Sequence, residues 1–214
     1  MENELNNKYE FVPGDEIVIA PGRTLKLIRA LSVILHAAEP GDLGGYIEDV
    51  KNLNTSGDAW VFRNAWVSGK AHVSGDAWVL GKAHVFGSAH VYGDAHVYGD
   101  ARVSGDAHVF GSAHVYGDAR VFGDAYVFGN ALVSGDARVF GDAFVSGNAR
   151  VSGNARVLGD ALVFGDARVY GDARHNGVDY ATKAEADEAR VRDRAALELQ
   201  WKQNQLMRLE GWPS

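Results

Sequence analysis

Apolar and polar positions alternate along residues 57–176 in a six-residue unit, Gly-Asp-Ala-x-Val-x in its commonest form, which repeats twenty times without a break. Ala and Val stand two apart, as in Gly99-Asp100-Ala101-Arg102-Val103-Ser104. A short strand therefore points both inward and the residue between them outward. Gly supplies the backbone freedom for a tight corner, and the Asp, Asn or Ser after it can hydrogen-bond nearby backbone groups there. A corner every six residues implies a triangular coil of eighteen residues, so the array makes about 6.7 coils. Stacked at ~4.8 Å, they form a rod of roughly 32 Å. Repetition this strict specifies a solenoid, in which each unit buries its apolar side only against its neighbours. The lapses are few: Arg63 replaces the leading Gly once, and His175 stands where Val is due. The predicted fold is an all-β solenoid, a triangular parallel β-helix with an N-terminal cap and a C-terminal α-helix.

The ends differ from the array. Residues 1–56 lack the hexad but hold a predicted strand, Thr24-Leu25-Lys26-Leu27-Ile28-Arg29-Ala30-Leu31, and a turn-rich lead-in, Gly41-Asp42-Leu43-Gly44-Gly45-Tyr46-Ile47. They read as a cap over the first coil, which otherwise presents unpaired strand edges. Residues 177–214 read as a linker and a helix from Thr182 to Leu209, rich in Ala, Glu, Arg, Leu and Gln and free of Gly and Pro. Its irregular apolar stripe of Val191, Ala195, Leu199, Leu206 and Leu209 is expected to pack on the rod or to tie protomers together.

An aliphatic residue every six positions with a small residue two before it resembles the hexapeptide-repeat proteins with a left-handed β-helix. Here Phe62, Tyr92 or Ser104 separates Val from the next Gly. A right-handed triangular helix of the bactofilin type therefore stays open beside the favoured left-handed one. The Arg23-Thr24-Leu25 strand, Gly41 to Glu48, and Asn52-Leu53-Asn54 leading into Gly-Asp-Ala-Trp-Val together resemble the front end of hexapeptide-repeat proteins of phages and prophages. That resemblance, from about residue 10 to 176, implies a phage or prophage context and carries no mechanism with it.

The chain has no cysteine, so neither disulfides nor thiolate metal sites are available. It shows no basic leader with an apolar run and no stretch long enough to span a bilayer, which predicts a cytoplasmic protein, in the host cytosol if phage-encoded. A net charge of -7 argues against general nucleic-acid or anionic-membrane binding.

Residues eighteen apart stack, which sorts the outward positions into three ladders. One carries Trp60, Trp78, His96, His114, Leu132, Arg150 and Arg168; the second Trp66, His84, Arg102, Arg120, Arg138, Arg156 and Arg174; the third His72, His90, His108, Tyr126, Phe144 and Leu162. The five arginines of the second ladder are the candidate ligand site, since like charges at ~4.8 Å spacing favour a polyanion. Against this, Asp100, Asp118, Asp136 and Asp172 precede four of them by two residues and are expected to neutralise them. His72, His90 and His108 are weak metal candidates, because parallel imidazoles on a flat face do not converge as zinc ligands must. Corner aromatics such as Tyr98, Tyr116, Phe122 and Phe140 either project outward and promote a dimer or trimer or lie flat, each on its neighbour.

These residues predict a non-enzymatic phage-type β-helical scaffold or binding protein that acts through its surface, homo-oligomeric and without a cofactor. Its partner is a host or phage protein or a small anionic ligand. Two alternatives stand beside it. The resemblance implies acyl transfer with a histidine base, although the unbroken array offers no loop to cover a cofactor. The Arg and aromatic ladders allow a sponge for an anionic nucleotide signal.

Overall fold

The computed structural model describes residues 6–176 and the backbone of Val178–Asp179. The helix expected over 182–209 lies outside the described residues. The array is a parallel β-solenoid of seven stacked turns, with each hexad forming a strand as short as two residues, such as Arg102–Val103. Strands sort into three sheets of ten, seven and seven members, one per side of the coil. Register is strictly eighteen along the array: Val85, Val103, Val121 and Val139 pair in one column.

The interior is Ala and Val alone through most of the rod, and from Ala77 to Ala161 every one of these side chains is 0% exposed. Each buried Val contributes about 1.5–3 kcal/mol on transfer from water. Ala is needed beside it because three strands converge on one narrow axis. Gly takes the left-handed conformation at the corners, as in Gly123 with φ 76°. At the one corner where Arg63 replaces it, the left-handed residue moves on to Asn64, φ 66°, a residue type that tolerates this region.

The N-terminal segment closes the first turn. Strands β1 (Tyr9–Ala20) and β2 (Arg23–Ala30) form an antiparallel hairpin, and β3 (Leu43–Ile47) pairs antiparallel with β2 and parallel with Trp66–Val67. The observed β2 overlaps the predicted strand. Ile47 joins the column of Val67, and Leu53 bridges to Val73, each twenty residues away. The coil thus starts before the first hexad, on residues that break its spacing. Gly44 and Gly45 are required by close approach: a Cβ on Gly44 would lie 2.7 Å from Trp60 Cζ2, and one on Gly45 2.6 Å from the Ala65 carbonyl oxygen.

Three cap side chains donate hydrogen bonds to carbonyls at this end. Asn52, fully buried, donates from Nδ2 to Gly69 O (3.1 Å) and Ala71 O (2.8 Å) and accepts at Oδ1 from the amides of Glu48 and Asp49. One coil on, the equivalent carbonyls of Gly87 and Ala89 receive the backbone amides of Lys70 and His72. The carboxamide therefore stands in for two amides that the off-register chain does not supply. The single Tyr9 Oη proton is shared between Val50 O (3.0 Å) and Leu53 O (3.2 Å), and burial pushes the phenol's pKa up to about 12. Lys8 Nζ donates to Asn54 O and Gly57 O; burial, only partly offset by Asp58 and Asp76, brings it down to about 8. Glu48 accepts the Gly69 amide at 2.7 Å and pairs with Arg23 at 2.6 Å; the Arg23 hydrogen bond holds its carboxyl down at about 2.

At the far end the hexad frays. His175 pairs with Val157 in the Val column, and the last strand pairs Leu162 with Val178, only sixteen residues on.

Candidate functional site

Because Ala and Val face inward, the residue between them faces outward, and the eighteen-residue register stacks these residues directly; Trp60 alone of the three ladders is buried, against Gly44 of the cap. All three ladders form as the spacing predicts. On the first, Trp60, Trp78, His96, His114, Leu132, Arg150 and Arg168 pair in sequence. On the third, His72, His90, His108, Tyr126, Phe144 and Leu162 do so. On the second, Tyr46, Trp66 and His84 lead into Arg102, Arg120, Arg138, Arg156 and Arg174.

Most of the ladder rings stack face to face, the exceptions being the edge-on pair His96–His114 and the tilted pair His72–His90. His108 lies 5.0 Å from His90 and 4.8 Å from Tyr126, with interplanar angles of 6° and 2°. Trp66 covers His84 at 4.6 Å. Burial in the stack, and secondarily the neighbouring His90, lowers the His108 pKa to about 4 despite Asp106 and Asp124 nearby. Burial also lowers His84, with Arg102 acting in the same direction, and His96, with His114. These imidazoles are held neutral as pieces of a packed column. His72 and His90 stand side by side at 6.1 Å rather than converging, and among the described residues no three His, Asp or Glu side chains gather as a metal cage requires. A cavity of about 280 Å³ opens at the cap between Lys8, Ser32, Ile34, Thr55 and Asp58, and no ladder histidine lines it.

Corner aromatics that stand one turn apart lie flat on each other. Tyr98 and Tyr116 stack at 4.9 Å, Tyr92 and Phe110 at 4.8 Å, and Phe122 and Phe140 at 4.8 Å, all within 3° of parallel. Of the corner rings in these columns only Phe86 (40%) and Tyr170 (69%) stand out as exposed. The broad outward-facing aromatic strips of the other expectation are not seen.

The arginine column differs from the rest in its partners. Arg102, Arg120 and Arg174 are exposed and Arg138 and Arg156 half-buried. Among the described residues the ion pairs are Arg23–Glu48 and Arg29–Glu10, both in the cap, and no ladder arginine takes part. The expected neutralisation by Asp100, Asp118, Asp136 and Asp172 does not take the form of direct pairing. Those carboxylates sit at the corner before the strand, where backbone bonds such as Asp100 N to Gly117 O fix them, while the guanidinium groups leave from the flat of the sheet. Where Asn and Asp share a corner column they bond to each other instead, as Asn154 Nδ2 does to Asp172 Oδ1 at 2.9 Å.

A second carboxylate column escaped the sequence reading. Asp106, Asp124, Asp142 and Asp160 occupy successive turns of the corner that follows the arginine strands, and all four are exposed. The signal was present in the same eighteen-residue spacing. The side chains that seal the first turn, Lys8, Glu48 and Asn52, were also missed, and they occur once each with no period to mark them.

Among the described residues no helix is long and apolar enough to cross a membrane. Comparison with curated proteins gives no match. A family model described as YdcK Beta solenoid repeat matches residues 95–111, 101–117, 143–159 and 149–165, and in these stretches the chain is similar to that repeat, in keeping with the coil that the hexads build.

Proposed function

We propose that the protein is a non-enzymatic rod that acts through its surface, binding an anionic partner along the arginine face. One observation carries this reading: Arg102, Arg120, Arg138, Arg156 and Arg174 stand in register on a single sheet, and none is ion-paired among the described residues. Guanidinium groups favour carboxylate and phosphate partners because their forked donors match those oxygens. The register fixes the backbone positions from which they leave, so no backbone ordering is needed on binding. In the phage or prophage setting that the sequence resemblance implies, the partner is an acidic component of host or phage.

Fluorescence anisotropy with labelled polyglutamate tests the reading. Wild-type binding should weaken as salt rises, because exposed charges are screened over about 8 Å at physiological ionic strength. Arg120→Ala with Arg138→Ala should weaken it by roughly tenfold or more, since hydrogen bonds to charged groups contribute about 1.5–3 kcal/mol each. Binding that ignores both salt and this pair of substitutions would sink the proposal.

A further inference from the structure

We infer that the anionic partner of the arginine face is a second copy of this chain, whose Asp106, Asp124, Asp142 and Asp160 column docks against Arg102, Arg120, Arg138 and Arg156. The inference rests on the reading of that face as an anion-binding surface.

Pitch selects the occupant. Guanidinium groups one coil apart follow the strand spacing of the sheet, and the rings on the adjoining corner repeat at 4.8 Å (Phe122 to Phe140). A nucleic-acid strand in B-form advances about 3.4 Å per phosphate, so it falls out of step by over 1 Å per arginine and by about a whole coil after four. Another stack of parallel strands shares the pitch and keeps every pair in step. This chain carries such a carboxylate ladder, four turns long and exposed, in the same turns as the arginines.

The layout suits a twofold pair. Each rod has the basic column on the flat of the sheet and the acidic column on the next corner, so a rotated second copy sets each column against the opposite charge, residue i meeting j and j meeting i. Between the columns runs a corner strip of Ser104, Phe122, Phe140 and Leu158, all half-buried, with Phe86 (40% exposed) one turn before it, and its rings and Leu158 supply apolar area for the contact. Neither column forms an ion pair within its own chain among the described residues.

The test is the mass of the full chain by sedimentation equilibrium, with charge reversal and remixing. Wild type at low salt should show twice the 23.0 kDa of one chain and return to a single chain near 1 M salt, where screening acts over about 3 Å. Asp124→Lys with Asp142→Lys should be monomeric, and so should Arg120→Glu with Arg138→Glu. An equimolar mixture of the two should regain the doubled mass. Lysine is accommodated at this corner, since Lys70 heads the same column, and circular dichroism checks that both variants fold. The neutral pair Asp124→Asn with Asp142→Asn, matching Asn130 and Asn148 at another corner, should weaken association without reversing charge. A monomeric wild type at low salt, a reversal variant that keeps the wild-type mass, or a mixture that stays monomeric overturns the inference. If the wild type is monomeric while polyglutamate still binds through the arginines, this inference alone falls; if polyglutamate binding is also absent, the proposed function falls with it.

Discussion

Replacing Gly123 by Ala should part the rod between two turns. Gly123 has φ 76°, and a Cβ there would lie 2.9 Å from Gly141 N and 3.2 Å from Gly141 O. The left-handed region costs an L-residue about 1–2 kcal/mol. The overlap adds to this, because the neighbour is backbone: Asp106 N already bonds Gly123 O at 3.0 Å, and the same ladder holds the next turn. Overpacking of this kind costs about 1–3 kcal/mol, which brings the total to roughly 2–5 kcal/mol. Gly22, in the turn between β1 and β2, isolates the first component. Its φ is 75°, and a Cβ there would meet nothing within 4 Å, so Gly22→Ala should cost only about 1–2 kcal/mol. Urea unfolding followed by circular dichroism measures both, and hydrogen exchange on the Gly123 variant should show the amides that bridge the two turns losing protection first. In a stacked array the damage falls on one interface between neighbours. Equal losses in the two variants would refute the claim that turn-to-turn contact, beyond backbone conformation, demands glycine at these corners.

Two further outcomes concern single side chains. His108, with its pKa lowered to about 4, is held neutral by the fold, while the unfolded chain takes up a proton near 6.5. Stability from this group is complete above about pH 6.5, declines as pH falls toward 4 and levels off below. Allowing for a ring that is partly solvated, the loss is about 1–2 kcal/mol. His108→Phe, which copies Phe144 in the same column, should flatten that part of a melting-temperature titration, with His84 and His96 contributing the remainder in the same direction; an unchanged slope would count against it. Asn52→Ala leaves the carbonyls of Gly69 and Ala71 without their side-chain donor and should cost about 2–4 kcal/mol in urea unfolding. A loss below about 1 kcal/mol would mean that the first turn re-pairs its own backbone.

The array was legible because its geometry is written as a period. Val103 above Val121, Arg120 above Arg138 and His90 above His108 all follow from counting eighteen. Which way the corner rings lie was not legible, since flat and outward rings share one sequence pattern. Stacking at ring-contact distance decides it, as for Phe110 on Phe128 at 4.9 Å. The cap was visible only as a break in the repeat. Ile47 and Leu53 take Val positions at a spacing of twenty, so hexad counting passes over them. Asn52 and Lys8 resemble ordinary surface residues until the carbonyls they satisfy are placed. The two sides of the candidate site were unequally legible. The arginines stand out as replacements at a variable position, whereas Asp106, Asp124, Asp142 and Asp160 share the residue type that the corner uses most often.

Which side of the rod a residue faces is set by its count modulo eighteen, and the interior does not register that count. Every hexad but the last offers the same Ala and Val to the core, so excising one unit between Arg120 and Arg138 would leave the axis filled and the strands paired. All that follows would turn by one side of the triangle, carrying Arg138 into line with the column that holds His114. Excising three units would shorten the rod by one turn and restore every column. The solenoid thus separates two kinds of hereditary change: steps of eighteen residues alter its length and spare its surfaces, whereas steps of six keep its fold and scramble them.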